Sequence, residues 1–301
     1  MKSNPRPARR WRAGVVLAVA ALFCGAALAE APAAYETLAE RDRRLIQETL
    51  EAMPPQRPGR PDLYVLGFAG DGTEDVFRNE VLYLERLMDG RFQAQGRVIG
   101  LVNHPASLED ASARPLATLD NLSLALAGMG EAMDPDEDVL LLFITTHGSE
   151  DHELLAGLPP VVDEEIGPGE LAGAIDASGI RNRVVVVSSC FSGGFLPALR
   201  SPDAVVITAA RKDRTSFGCG TTSQVTYFGQ AWLVKALNRH DDFIAAFRDA
   251  RKQVAAREEK DGYAPSLPQI HVGERIGPVL QAWRESLQPG PAVAYPYPDK
   301  P

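Results

Sequence analysis

The sequence is poor in cysteine and in positive charge. Its 301 residues include three Cys, and 31 Lys and Arg stand against 40 Asp and Glu. A secreted domain held together by disulfides would need several cysteine pairs, so a hydrophobic core must stabilise this chain instead. An acidic surface repels phosphate backbones, and the sequence contains no basic stripe to offset it. We therefore expect no nucleic acid among its partners.

The N-terminal apolar run is too short for a typical membrane span. Residues 1–29 contain five basic residues and no acidic one, followed by an apolar segment at 13–29 that ends in Ala27-Leu28-Ala29. A basic start, a short apolar middle and small residues at the end predict a secretory signal peptide cleaved after Ala29, and hence a periplasmic or extracytoplasmic location. The alternative is attachment to the inner membrane through residues 13–29 as an uncleaved anchor.

Cleavage at that point would change the charge and the cysteine count. Removal of 1–29 leaves 26 Lys and Arg against 40 Asp and Glu, a net charge of −14, with Cys190 and Cys219 as the remaining cysteines. We divide the rest of the chain by composition. An N-terminal helix and Pro-rich linker (30–61) precede one globular domain (62–287), and a Pro-rich tail (288–301) follows it.

Apolar runs and helical spacings alternate through the domain. The predicted strands are 63–68, 97–102, 139–146, 184–188, 204–209 and 269–272, and the predicted helices are 37–52, 77–88, 116–128, 168–178, 227–237 and 242–259. Continuous rather than alternating apolar strands are typical of sheets covered on both faces. This predicts an α/β sandwich, a mostly parallel sheet of about six strands with helices on both faces.

Two chemically reactive side chains follow two of these strands. His147 comes just after the strand at 139–146, and Cys190 after the strand at 184–188, within VVVVSSCFSGG. If the strands are parallel neighbours, the imidazole and the thiol meet at one sheet edge, where the imidazole can take the proton of the thiol. The N–H groups of Gly148 and Cys190 could then hold an oxyanion. The pattern predicts a cysteine nucleophile with a histidine partner.

The stretches HGS and SSCFSGG resemble the active-site motifs of the legumain family of cysteine peptidases, peptidase family C13, which has a caspase-like fold. The resemblance extends over about 62–273. It implies cleavage of protein or peptide substrates with catalytic His147 and Cys190, through a thioester and without a cofactor or metal. FAGDGTEDVFRNE and TAARKDRTSF resemble the loops that line the family's substrate pocket, which implies substrate-binding roles for Arg78 and Ser216.

The sequence departs from the family pattern at several positions. The family has an asparagine that orients the histidine two residues before the pocket arginine, where this chain has Val76. The family's pocket aspartate corresponds to Gln230, which leaves the charge of Arg78 without that partner unless Asp71 or Glu74 supplies it. We expect tolerance of Asn or Asp before the cut, and rejection of Lys and Arg.

Other functions fit the sequence less well. The GxSxG motif of serine hydrolases is missing, and the loop HGSEDHE has no spacing typical of a metal site. Two alternatives stay open: a peptide ligase or transpeptidase that uses the same two residues, and a non-catalytic binding module with a caspase-like fold. We expect Cys219 to be a partly buried residue without a role. The sequence carries no signal for an oligomeric state.

Overall fold

The computed structural model describes residues 1, 2, 4 and 36–298. The chain divides into two units, Met1–Glu36 and Thr37–Pro301. Almost all of the predicted signal peptide or anchor, residues 1–29, lies outside the described residues. Within the part of the chain that is described, none of the helices is both long and apolar enough to cross a membrane.

The second unit is built on a six-stranded sheet whose strand order is β2-β1-β3-β6-β7-β8. All neighbours are parallel except the edge strand β8, which pairs antiparallel to β7. A separate antiparallel hairpin, β4-β5, stands beside it. The strands are β1 Leu63–Ala69, β2 Val98–Val102, β3 Val139–Thr145, β4 Leu154–Leu158, β5 Val162–Ile166, β6 Arg183–Ser188, β7 Ala204–Thr208 and β8 Gln269–Val272.

Helices cover both faces of the sheet. The α-helices are α1 Leu38–Glu51, α2 Asp75–Gly90, α3 Leu119–Ala132, α4 Pro168–Ala177, α5 Leu196–Leu199, α6 Tyr227–Gly229, α7 Phe243–Asp261 and α8 Ile276–Ser286. Helix α6 continues as a π-helix, Gln230–Ala236, and short 3₁₀ turns occur at Pro105–Leu108, Asp110–Ser112 and Ser192–Phe195.

Successive residues of the central strands point into two different hydrophobic cores, as the pleat of a strand requires. On β3, Leu140 and Leu142 pack with residues of α1, α3 and α4, whereas Leu141 and Phe143 pack with residues of α2, α7 and α8. All seven residues of β1 and of β3 are buried. Burial on both faces explains why these strands are continuously apolar in the sequence and confirms the predicted three-layer α/β fold.

The hairpin β4-β5 and the helices α5 and α8 were not predicted from the sequence. The hairpin β4-β5 was missed because its second strand, VDEEI, is acidic and exposes Asp163 and Glu165. Helix α8 was missed although it buries Ile276, Leu280 and Trp283 in the second core. The segment 288–298 contains no helix or strand, and it packs on the domain through Val293 and Tyr295.

Candidate active site

The register of the sheet brings the predicted His147 and Cys190 to the same edge. Thr145 on β3 pairs with Ser188 on β6, so each reactive residue lies two positions beyond a paired residue of neighbouring parallel strands. Both side chains line one small cleft, together with Phe77, Ser216 and Cys219 among others. The structure therefore brings together the two residues that the strand-end pattern selected.

Cys190 begins a tight turn that leaves the sheet. The next residue, Phe191, has a left-handed backbone (φ 54°), a conformation that is uncommon for a side chain of this size. Its N–H donates to the carbonyl of Arg214 across 2.8 Å, which anchors the turn to the loop after β7. Gly193 then passes so close to the backbone of Arg211 and Lys212 that a Cβ there would overlap it. These contacts hold the thiol at a fixed position above the end of β6.

The Cys190 thiol contacts the backbone of Ser216. The N–H of Ser216 donates to Sγ across 3.3 Å, and Sγ lies 3.5 Å from the Ser216 carbonyl oxygen. Burial raises the pKa of the Cys190 thiol, and the Ser216 N–H opposes this shift only in part. The resting residue is therefore a neutral thiol, with one hydrogen-bond donor already in place for the thiolate.

His147 is surrounded by acidic groups and a second thiol. Its Nε2 lies 3.4 Å from Asp71 Oδ2 and 3.5 Å from Glu74 Oε1. The Phe77 ring packs edge-on against the imidazole, with 5.1 Å between ring centroids. A hydrogen bond with Cys219 raises the pKa of His147, with further contributions from the charges of Cys219, Glu74 and Asp71, while burial acts in the opposite direction. These surroundings favour the imidazolium form.

Cys219 differs from the sequence-based expectation. It was expected to be partly buried, but it is exposed, lines the same cleft as Cys190 and raises the pKa of His147. Both cysteines are free thiols. The expected burial was wrong because the loop that carries Cys219 folds back over the strand ends, and no local pattern in the sequence shows this. That Cys219 has no role stays a prediction.

The three predicted pocket residues have different surroundings. Ser216 lines the cleft. Arg78 contacts His104, with 2.9 Å from Nη1 to Nε2, and also lies near Asp75 and Asn79. Gln230 accepts a hydrogen bond of 2.7 Å from Arg257. Among the residues that the structure describes around the cleft, neither Arg78 nor Gln230 is part of the lining.

The hairpin β4-β5 supports the loops on either side of His147. Leu155 N–H donates to the His147 carbonyl, and Gly148 forms a bridge with Leu154. A Cβ on Gly148 would overlap the carbonyl oxygen of Cys190, so only glycine fits between the two strand ends. The functional importance of Gly148 was predicted, but the support from the hairpin was not.

A buried acid below the cleft was also missed. Glu80 on α2 is fully buried, accepts from Thr145 Oγ1 (2.6 Å) and from the Thr226 N–H (2.8 Å), and so links β3 to the loop before α6. Burial raises the pKa of Glu80. In the sequence its only signal is an acidic residue on the apolar face of a helix. Within 36–298, no group of three or more His, Cys, Asp or Glu side chains is arranged as a metal site.

Comparison with known proteins gave one family match. The model of the peptidase C13 family matches residues 120–278, just over half of the chain. The matched segment runs from α3 to the start of α8 and includes His147, Cys190, Ser216 and Gln230, whereas Arg78 precedes it. A search of curated proteins gave no match.

Proposed function

The chain belongs to the peptidase C13 family, and from that premise we propose that it hydrolyses peptide bonds with Cys190 as nucleophile and His147 as its proton acceptor. Membership of the family implies a cysteine peptidase of the legumain type. The observation that carries the assignment of the two residues is their position in one cleft, each two residues beyond the Thr145–Ser188 pair of neighbouring strands.

In the proposed reaction, the Cys190 thiol transfers its proton to His147 and Sγ attacks the carbonyl carbon of the scissile bond. When the tetrahedral intermediate collapses, the C–N bond breaks and the leaving amine takes the proton from His147. A water molecule then attacks the thioester, with His147 accepting its proton, and the Cys190 thiol is released. The Ser216 N–H, already directed at Sγ, stabilises the thiolate at the start and at the end of the cycle.

We propose that the N–H groups of Gly148 and Cys190 hold the oxyanion. The absence of a Cβ at Gly148 allows the two strand ends to approach closely at the point where the carbonyl of the substrate would lie. Two backbone donors fixed before the reaction cost no reorganisation when charge develops.

The lining of the cleft supports a preference for a small polar residue before the cut. Among the described residues around it, none is Lys, Arg, Asp or Glu, and its polar groups are largely hydroxyls, from Thr146, Ser188, Ser189, Ser216 and Thr226. Hydroxyl groups both donate and accept hydrogen bonds, which suits the carboxamide of Asn. A charged Lys or Arg would find no carboxylate in this lining.

A peptide-library profile at pH 5 and pH 7 tests this specificity. We expect Asn to be accepted at both pH values. Relative to Asn, Asp should be cleaved better at pH 5 than at pH 7, because more of its side chain is then neutral and resembles Asn. A preference for Lys, Arg or a large apolar residue would overturn the specificity but not the Cys190–His147 mechanism.

A non-catalytic binding module is the second candidate. It is favoured by the Cys190 thiol, which lies 3.5 Å from the Ser216 carbonyl oxygen as a hydrogen-bond donor and has its pKa raised by burial. A peptide carrying an electrophile at the position of the scissile carbonyl separates the two candidates. Labelling of the reduced protein that is lost in both Cys190→Ala and His147→Ala supports the peptidase. No labelling of the wild-type protein supports the module.

Transfer of the acyl group to an amine, as in a ligase or transpeptidase, would use the same residues. Adding a second peptide with a free amino terminus and identifying the products by mass spectrometry distinguishes transfer from hydrolysis.

We further propose export to the periplasm with cleavage after Ala29. An exported protein that begins at Glu30 supports this, and an intact Met1 in the membrane fraction refutes it.

A further inference from the structure

A carboxylate, an imidazole and a thiol follow the ends of three neighbouring strands. Ala69 on β1 pairs with Thr145 on β3, which in turn pairs with Ser188 on β6. Asp71, His147 and Cys190 each lie two residues beyond these paired positions. The carboxylate, the imidazole and the thiol therefore occupy equivalent places on three adjacent strands.

Asp71 is held in place from three directions. The residues on either side of it bond to the hairpin, since Gly157 N–H donates to the Gly70 carbonyl and Gly72 N–H donates to the Gly157 carbonyl, both across 2.8 Å. Its own Oδ1 accepts from the Thr73 N–H across 2.6 Å. The remaining oxygen, Oδ2, faces His147 Nε2 at 3.4 Å. The Asp71 side chain is 5% exposed, so water screens this interaction only weakly.

Glu74 approaches the same nitrogen from the other side of the loop. Its Oε1 lies 3.5 Å from His147 Nε2, while Oε2 accepts from the Gly220 N–H across 2.7 Å. Gly220 follows Cys219, so Glu74 also fixes the loop that brings the second thiol to the imidazole. Distances of 3.4 and 3.5 Å suit an ion pair with an imidazolium better than a short hydrogen bond.

We propose that Asp71 and Glu74 are positioning residues for His147: they hold its ring through Nε2 and stabilise the imidazolium that forms when Cys190 loses its proton. Asp71 is the more buried of the two, with 5% of its side chain exposed against 14% for Glu74. The two acids thereby take the place of the family's orienting asparagine, which is Val76 in this chain. They do so from the loop before α2 rather than from the helix itself. This proposal rests on the proposed function, in which His147 accepts the proton of Cys190.

The geometry favours this role over a purely structural one. An ionised carboxylate facing an imidazole stabilises its charged form, and an opposite charge at this range shifts a pKa by about one to three units. The other titratable groups near the ring are Cys219 and Cys190, from the loops after β7 and β6. Cys219 also raises the pKa of His147, and Asp71 and Glu74 supply the carboxylates that lie within 3.5 Å of its Nε2.

The test combines an NMR titration of His147 with peptide turnover. Asp71→Asn keeps the shape of the side chain and removes its charge, and Glu74→Gln does the same. The matched controls are Asp151→Asn and Glu150→Gln, two exposed acids of the loop after His147. We expect Asp71→Asn to lower the pKa of His147 by at least about one pH unit and kcat by about tenfold to a hundredfold. Glu74→Gln should act in the same direction.

The two readouts separate the proposal from the proposed function. A lowered His147 pKa in Asp71→Asn, with controls unchanged, supports the ion pair even if no peptide turnover is found in the wild-type protein. Such an absence of turnover would instead count against the peptidase. An unchanged His147 pKa in the double variant Asp71→Asn/Glu74→Gln, with the fold intact by circular dichroism, overturns the proposal whatever the turnover.

Discussion

The backbone N–H of Ser216 points at Cys190 Sγ across 3.3 Å. A hydrogen bond to a thiolate is stronger than one to a neutral thiol, so this contact favours the charged form of the nucleophile, whereas burial favours the neutral form. Of these two opposing effects burial is the larger, so the resting thiol is protonated, and the Ser216 N–H is in place to stabilise the thiolate when it forms. The chemistry of the cleft therefore depends on where the thiol proton can go.

The two cysteines should differ in function although both line the cleft. Cys190→Ala removes the nucleophile, so we expect no peptide turnover and no labelling by a peptide electrophile. Cys219→Ala should keep measurable turnover, because it removes a contact of His147 and not the attacking atom. Kinetics with a fluorogenic peptide and mass spectrometry of the labelled protein measure both. Labelling at Cys219 with turnover retained in Cys190→Ala would reverse the assignment.

The acidic limb of the pH profile of turnover should lie at a higher pH than the pKa of an ordinary histidine. The reactive form has lost one proton from the His147–Cys190 pair, and the pKa values of both groups are raised. The acidic limb of kcat/KM should therefore lie above about 6.5, as a property of the coupled pair. Cys219→Ala removes the largest cause of the raised His147 pKa, so the limb should move to lower pH. A limb at the same pH in both proteins would contradict this account.

Gly148→Ala should abolish activity and also destabilise the two strand ends, because the backbone must shift to admit a Cβ. The new Cβ would overlap the Cys190 carbonyl oxygen and push apart the two strand ends that form the proposed oxyanion site. Loss of one oxyanion donor alone costs about 10²–10³ in kcat. Gly173→Ala on α4 is the matched control, since a Cβ there has no neighbour within 4 Å and alanine favours helix. Equal activity of the two variants would show that the close approach is not required.

Glu80 should make the stability of the domain depend on pH. Because its pKa is raised in the folded state, its contribution is present below the pKa of an unfolded glutamate and is lost as the pH rises through the folded value. Glu80→Gln cannot ionise, so it should gain about 1 kcal/mol or more relative to wild type between pH 5 and pH 8. Glu80→Ala leaves the buried Thr226 N–H unpaired and should lose about 2–3 kcal/mol.

Urea unfolding at several pH values measures these differences. The control is Glu259→Gln on the exposed side of α7, which should follow the wild type at every pH. If Glu80→Gln also follows the wild type, the pKa of Glu80 is not raised in the folded state and the pH dependence arises elsewhere.

The central strands were predictable almost to the residue. The segments at 63–68, 139–146 and 184–188 became β1, β3 and β6 with ends shifted by one residue, because burial on both faces makes such strands continuously apolar. The hairpin β4-β5 was not predictable in this way. Strand β4 is held by hydrogen bonds with Gly70 and Gly72, which come from a distant part of the chain, and with the His147 carbonyl.

The sequence by itself determined the fold class, the six strands of the large sheet and the selection of His147 and Cys190. Each of these follows from local patterns, namely apolar periodicity and reactive residues placed where strands end. Only the tertiary structure decided that β1 lies beside β3, which puts Asp71 next to a histidine more than 70 residues away, and that Cys219 folds back onto the same ring. The reason is physical: strand order and register depend on packing of whole helices against the sheet, and no local stretch of sequence encodes those long-range contacts.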